Sequence, residues 1–152
     1  MKATRLQSAG DTTYALVFDK GDEVVRELTE FARRRRLSAA HFTAIGAFER
    51  VTLGYFDPAR RDYRRIPVEQ QVEVVALLGD VALDGDEPKI HAHVVVSLPD
   101  AATRGGHLLE GRVWPTLELV LTETPGHLRR RRDPETGLAL IDPAAMGRGE
   151  AA

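Results

Sequence analysis

Only one stretch of this chain carries the apolar periodicity of a helix, and that restricts the fold more than any other feature. From Asp22 onward, Val24, Val25, Leu28, Phe31 and Ala32 fall on one stripe at helical spacing. Asp22 is the expected N-cap. Arg33–Arg36 occupy the last turn, where cations complement the helix dipole, so the helix is expected to end near Arg36 or Leu37. The remainder reads as strands: Ala3–Ser8 paired with Thr12–Phe18 through a turn at Gly10-Asp11, then His41–Ala47, Val51–Asp57, Tyr63–Val68, Val72–Leu78, the run around Ile90–Ser97, and Val113–Thr122. Asp84–Pro88 reads as a hairpin loop, and Leu98–Ala102 opens a connection that runs to Gly105-Gly106. One helix against many antiparallel strands makes an α+β domain. With 152 residues, no internal repeat and no linker, a single domain with a substantial core is expected. The tail, 142–152, contains Ala, Gly and Pro and is expected to be poorly ordered.

Composition narrows the chemistry. There are no cysteines, so neither disulfides nor thiolate metal ligands are available, and any metal site must come from His, Asp or Glu. The net charge of −2 gives no global argument for a nucleic-acid partner. The positive charge is nevertheless clustered, in Arg33–Arg36 and again in Arg129–Arg132. No window approaches the length of an apolar membrane span and no signal-peptide core is evident, so a cytoplasmic protein is the expectation.

Three histidines carry the most specific chemical signal. In the strand-like segment Pro88–Ser97, His91 and His93 are separated by one residue and so point to the same face, roughly 6.5–7 Å apart along the backbone. Two imidazoles at that spacing can converge on one ion, although two histidines on a strand are more often simply polar groups on a wet face. Gly105-Gly106 permits a tight turn that would deliver His107 at the head of the next strand. Three histidines with one open position describe a catalytic-type zinc site rather than a closed structural one. Spacing alone does not bring His107 to the pair.

Taken together, several segments are similar to the PPC family (plants and prokaryotes conserved domain). They are Ala44-Ile45-Gly46-Ala47 through Leu53-Gly54-Tyr55-Phe56-Asp57, Val74–Asp80, the His91-Ala92-His93 strand, and Gly105-Gly106-His107-Leu108-Leu109-Glu110-Gly111. Val113-Trp114-Pro115-Thr116-Leu117-Glu118 and Asp133-Pro134-Glu135-Thr136-Gly137-Leu138 extend the match. The resemblance implies a bent, mostly antiparallel sheet with one packed helix, a domain spanning 1–141, and assembly as a homotrimer. It also implies zinc, with His91, His93 and His107 as ligands. The leading function is then a zinc-binding protein whose open position could bind or transform a small anionic molecule. The plant members join the domain to AT-hooks; this sequence has no Arg-Gly-Arg-Pro core, so that DNA-gripping element is missing.

The alternative function is a DNA-binding regulatory protein whose trimer displays Arg129, Arg130, Arg131 and Arg132 to phosphates. No aromatic is interleaved with either arginine run to stack on bases. Around the histidines, Glu110 and Asp100 are the nearest carboxylates in sequence, Ser97 could hydrogen-bond near the site, and Arg112, Tyr55 and Arg60 could shape an anion pocket. No catalytic residue follows from these placements. His41 and His127 are read as surface residues, and Gly105-Gly106 is no phosphate loop, since neither a helix nor a lysine closes it.

Overall fold

A computed structural model describes residues 1–7 and 11–145. Its elements are β1 (Lys2–Gln7), β2 (Thr12–Phe18), α1 (Val24–Arg35), β3 (Ala39–Asp57), β4 (Asp62–Val68), β5 (Val72–Asp84), β6 (Glu87–Ser97), β7 (Thr103–Glu123), β8 (Arg129–Arg132), β9 (Ala139–Ile141) and a short 3₁₀ turn (Pro143–Ala145). One helix on a largely antiparallel sheet is the expected α+β arrangement, with a single parallel pairing between β5 and β8. β1 and β2 pair antiparallel as expected, although Ser8 and Gly10 lie outside the described residues, as do 146–152 of the tail. Among the described residues, no helix is long and apolar enough to cross a membrane.

Two long strands shape the domain. The two expected apolar stretches 41–47 and 51–57 form one strand, β3, which stays extended through Gly46 and bends at register shifts near Gly46, Phe48 and Thr52. β7 is longer still and absorbs Gly105 and Gly106, so the expected turn there does not exist. β3 pairs with β5 and β7, β5 with β6, and β6 with the start of β7. These four pairings close a ring, which hides most of the unpaired strand edge that an open sheet would expose.

The inner face of that ring is the core. Leu16 and Phe18 from β2, Phe42 and Phe48 from β3, Leu77 and Val81 from β5, Val94 and Val96 from β6, and Leu117, Leu119 and Leu121 from β7 are essentially excluded from solvent. Burying each such side chain contributes about 1.5–3 kcal/mol. The apolar stripe of α1, Val24, Leu28, Phe31 and Ala32, closes over β6 and β7, with Phe31 edge-on to Tyr14 at 5.2 Å. His91 and His93 alternate with the buried Ala92, Val94 and Val96 and therefore lie on the outer face.

The helix ends where its sequence signals place the stop: Arg36 takes a left-handed conformation (φ 55°), and the Leu37 N–H donates to the Ala32 carbonyl at 2.9 Å. The start differs from expectation by one residue. The Asp22 carboxylate turns back to the Asp19 N–H (3.0 Å), while Glu23 caps the helix by accepting from the N–H groups of Val25 (3.2 Å) and Arg26 (2.8 Å). Glu23 also accepts from the Gly111 N–H at 3.1 Å, which ties the helix start to β7. The extra methylene lets one carboxylate serve both elements. Replacing Glu23 by Ala is expected to destabilise the domain by about 1–2 kcal/mol in urea unfolding. Asp22→Ala should cost less; the reverse ranking would restore Asp22 as the cap.

Candidate metal centre

The histidine pair is placed by hairpin register. The β5–β6 turn is only Gly85-Asp86, because Glu87 and Pro88 already belong to β6. Pairing back from Asp84 and Glu87 sets Asp80 opposite His91 and Leu78 opposite His93. On the other side of β6, His93 lies directly opposite His107 of β7, and His107 in turn lies opposite Gly54 of β3. Directly paired residues share a face, with Cβ atoms about 4.5–5.5 Å apart. His107 is thus carried by a strand rather than delivered by a loop.

The two glycines before His107 serve a close approach. A Cβ on Gly106 would come within 2.8 Å of the Gly54 carbonyl oxygen, so only glycine lets β7 sit this near β3 at the site. Gly54 itself leaves the space that the Tyr63 ring from β4 fills: a Cβ there would meet Tyr63 Cδ1 at 2.9 Å. Tyr63 then stacks on His107 with ring centroids 4.4 Å apart and planes 16° from parallel.

The three imidazoles form a nearly equilateral triangle. Ring centroids are 5.3 Å apart for His91 and His93, 5.2 Å for His91 and His107, and 5.5 Å for His93 and His107. One nitrogen from each lies within 4.8 Å of the others, and among the described residues this is the group of His and acidic side chains that could hold a metal ion. Burial, then the neighbouring His91 and His93, pushes the His107 pKa down to about 4. Burial and His91 lower that of His93 as well. Both rings are therefore neutral at pH 7 and present lone pairs, the state that metal ligation requires. His107 Nδ1 is buried with no hydrogen-bond partner, an acceptor or donor that the protein itself leaves unsatisfied. The donor set thus fits a divalent cation that accepts nitrogen, and His91, His93 and His107 are the residues that would hold it.

Behind His91 stands Asp80, its carboxylate 3.6 Å from Nδ1. Burial works against the Asp80 charge, but His91 and the Arg130 guanidinium outweigh it and hold the carboxyl below its usual range. Arg130 bonds the other carboxylate oxygen. Apolar residues rim the outer side: Leu78 and Val95 flank His93 and are exposed.

The other sequence candidates lie elsewhere. Glu110 pairs with Arg65 at 2.6 Å on the surface, and Asp100 accepts from the Ala102 N–H within its turn. Ser97 Oγ donates to the Leu98 carbonyl, and Arg112 donates to that of Gly21. Arg60 approaches only Asp57 (3.9 Å), and Arg64 lies over the ring of Tyr55. His127 bonds Ser38 at 2.6 Å, and His41 is exposed on β3. The arginines of β8 differ in their surroundings: Arg130 is covered, its side chain only 4% exposed, Arg129 reaches the Gly85 carbonyl, Arg131 pairs with Asp142 at 3.2 Å, and Arg132 is exposed. In the helical run, Arg33 pairs with Glu87 at 2.9 Å and Arg34 with Glu30 at 3.5 Å. Asp80 and Tyr63 were not singled out from sequence. Counting along the Gly85-Asp86 hairpin would have found Asp80; Tyr63 reaches His107 through two intervening strand pairings that no local pattern announces.

Fold and site together define a small ring-closed sheet domain with one helix and an outward-facing histidine triangle. The chain belongs to the Plants and Prokaryotes Conserved (PCC) domain family, also written PPC, whose model matches residues 5–125. Similar solved structures include a plant- and prokaryote-conserved protein from Pyrococcus horikoshii, 29% identical over 93% of this chain and 94% of that one, with a TM-score of 0.81. A protein from Ralstonia eutropha JMP134, provisionally designated DNA-binding, is 31% identical over 85% of this chain and 90% of its own, with a TM-score of 0.80. A metal-containing protein from Archaeoglobus fulgidus is 29% identical over 93% and 99% of the two chains, again with a TM-score of 0.80. No protein of curated function matches the sequence.

The lowered histidine pKa values have a measurable consequence. An unfolded histidine binds its proton near pH 6.5, whereas folded His107 does so only near 4. Between these values the unfolded chain holds a proton that the native state lacks, so stability falls as the pH is lowered through this window. Urea unfolding of metal-free protein should show that loss, and His107→Gln should make it shallower. An unchanged pH dependence in the variant would show that the ring is not held neutral by burial.

Proposed function

We propose that this chain is a zinc-binding homotrimer whose His91, His93 and His107 hold one ion per chain and present an open position to a small anionic molecule. The convergence of three strand-borne imidazoles on one face carries this reading. The absence of cysteine, the neutral state of the buried rings and the orphaned His107 nitrogen agree with it, as does the metal content of the Archaeoglobus fulgidus relative. When bound, such an ion polarises a carboxylate or phosphoryl oxygen. The protein's own part is to hold the ligands: β6 and β7 fix the three rings, Asp80 faces His91, Tyr63 covers one side of His107, and Leu78 and Val95 keep the rim apolar. The carboxylate at the cluster, Asp80, is engaged by Arg130 and faces His91 rather than standing free, so binding is favoured over catalysis.

Self-association is supported by the outer face of the sheet beside the site. Ile45 (62% exposed), Val75 (53%), Leu78 (57%) and Val120 (48%) stand outward on adjoining strands β3, β5 and β7, an apolar patch of the kind that marks an interface. The domain is taken to span 1–141, because β8 pairs back onto β5 and β9 pairs with β8. Native mass spectrometry of untagged protein reads assembly and metal together: the expected species is a trimer with up to one zinc per chain. The His91→Ala/His93→Ala variant should lose the metal. Metal-free protein that also fails to take up added zinc would reject the reading.

The Ralstonia eutropha relative favours a second reading, in which the chain binds DNA in a cytoplasmic regulatory role through the outward arginines of β8. Arg132 and Arg131 are exposed, whereas Arg130 is committed to Asp80. This reading predicts duplex binding that weakens steeply with salt, and a salt slope that falls by about 0.9 for each phosphate contact removed in Arg131→Gln/Arg132→Gln. No salt-sensitive binding near physiological ionic strength would exclude it.

A further inference from the structure

The β8–β9 hairpin lies beyond residues 5–125, which the family model matches, yet it reaches back to the histidine cluster. Its parallel pairing with β5 sets Arg129 and Arg130 beside Leu83 and Asp84. Arg130 then runs inward, with its side chain almost wholly buried. One terminal nitrogen bonds the Asp80 carboxylate and the other the Ala139 carbonyl at 3.1 Å. The hairpin is itself locked by Asp133, whose carboxylate accepts from the Thr136 N–H (2.9 Å) and hydroxyl (2.6 Å). A buried guanidinium held at two fixed points is a rigid clamp for a carboxylate.

Asp80 has two oxygens with different tasks. One is taken by Arg130; the other faces Nδ1 of His91 at 3.6 Å, just beyond hydrogen-bond length. A carboxylate in that place accepts from an Nδ1–H, and the tautomer it selects leaves Nε2 with its lone pair.

We infer that Arg130 is a positioning residue for the histidine cluster. Acting through Asp80, it sets His91 in the Nδ1–H tautomer and so aims the Nε2 lone pair at the position shared with His93 and His107. The C-terminal hairpin is thereby part of the site. In its role as a metal-ligand device this rests on the metal-binding reading above; the tautomer itself does not.

The test separates the two. Long-range proton–nitrogen spectra of histidine-labelled, metal-free protein at a pH where the imidazoles are neutral report the His91 tautomer directly. The parent is expected to hold its proton on Nδ1. Arg130→Met should lose that preference, and Arg130→Lys, which can still reach Asp80, should restore it; a merely structural loss would not sort in this way. Zinc affinity, measured by competition with a chromophoric chelator, should fall about 10–100-fold in Arg130→Met. If the parent takes up no zinc, the metal reading fails while the tautomer result still decides the role of Arg130. If folded Arg130→Met keeps both the parent tautomer and the parent affinity, the inference is overturned. Should Arg130→Met not fold, because the partly buried Asp80 is left without its counter-ion, the double variant Asp80→Ala/Arg130→Met, which removes both charges, decides instead. Retention of the Nδ1–H tautomer without that carboxylate overturns the relay.

Discussion

β7 is hydrogen-bonded to β6 through its first five residues, Thr103–His107, and to β3 from His107 onward to Glu123. That double commitment closes the ring of β3, β5, β6 and β7, and His107 is the residue at which β6 and β3 stand on its two sides. The closure has steric conditions. It needs no side chain at Gly106, where the β3 backbone comes near, and it needs the register shifts of β3 so that a single strand can bend around the core. Core, histidine triangle and apolar outer face all follow from this one arrangement, because pairing fixes which residues face in and which face out.

The site occupies an unusual position for a cluster of weakly basic groups. It lies on the outside of the sheet, yet His107 is half-buried beneath Tyr63 and against His93, so burial works on it from a surface location. Three imidazoles crowded at this separation cannot all be charged without repulsion, and the energetically consistent states are neutral rings or rings sharing a cation. Asp80 supplies the only negative charge directly behind the triangle among the described residues, and Arg130 balances it. The cluster therefore sits on an ion pair oriented with its carboxylate toward the rings. One outward edge of the site is continuous with the exposed apolar strip through Leu78, so anything that covers that strip, a second copy included, also shapes access to the histidines.

Much of the fold was legible in the chain. The helical stripe, the absence of any second one, the alternation of Ala92, Val94 and Val96 with His91, His93 and Val95, and the end of the helix near Arg36 are local matters, governed by spacing and backbone preference. Errors arose where a residue type has two uses. Gly105-Gly106 reads as a turn because glycine permits one, but it serves here as the residue that takes up least room between strands. Glu23 rather than Asp22 caps α1 because only the longer side chain also reaches Gly111. The four arginines of β8 are grouped as one candidate DNA surface, and a strand is expected to send alternate ones to opposite sides; what the sequence does not show is that Arg130 is covered and bound to Asp80.

The sequence by itself determined the ligand inventory: nitrogen and oxygen donors only, two histidines on one strand face, and a third before an apolar strand. It also determined the family, through segments whose order and spacing persist across most of the chain. Only the tertiary structure decided that His107 stands opposite His93, that Tyr63 covers it, and that Asp80 and Arg130 stand behind His91. The physical reason is that cross-strand register is set by pairing between segments far apart in the chain, and a one-residue slip would send every one of these side chains to the opposite face.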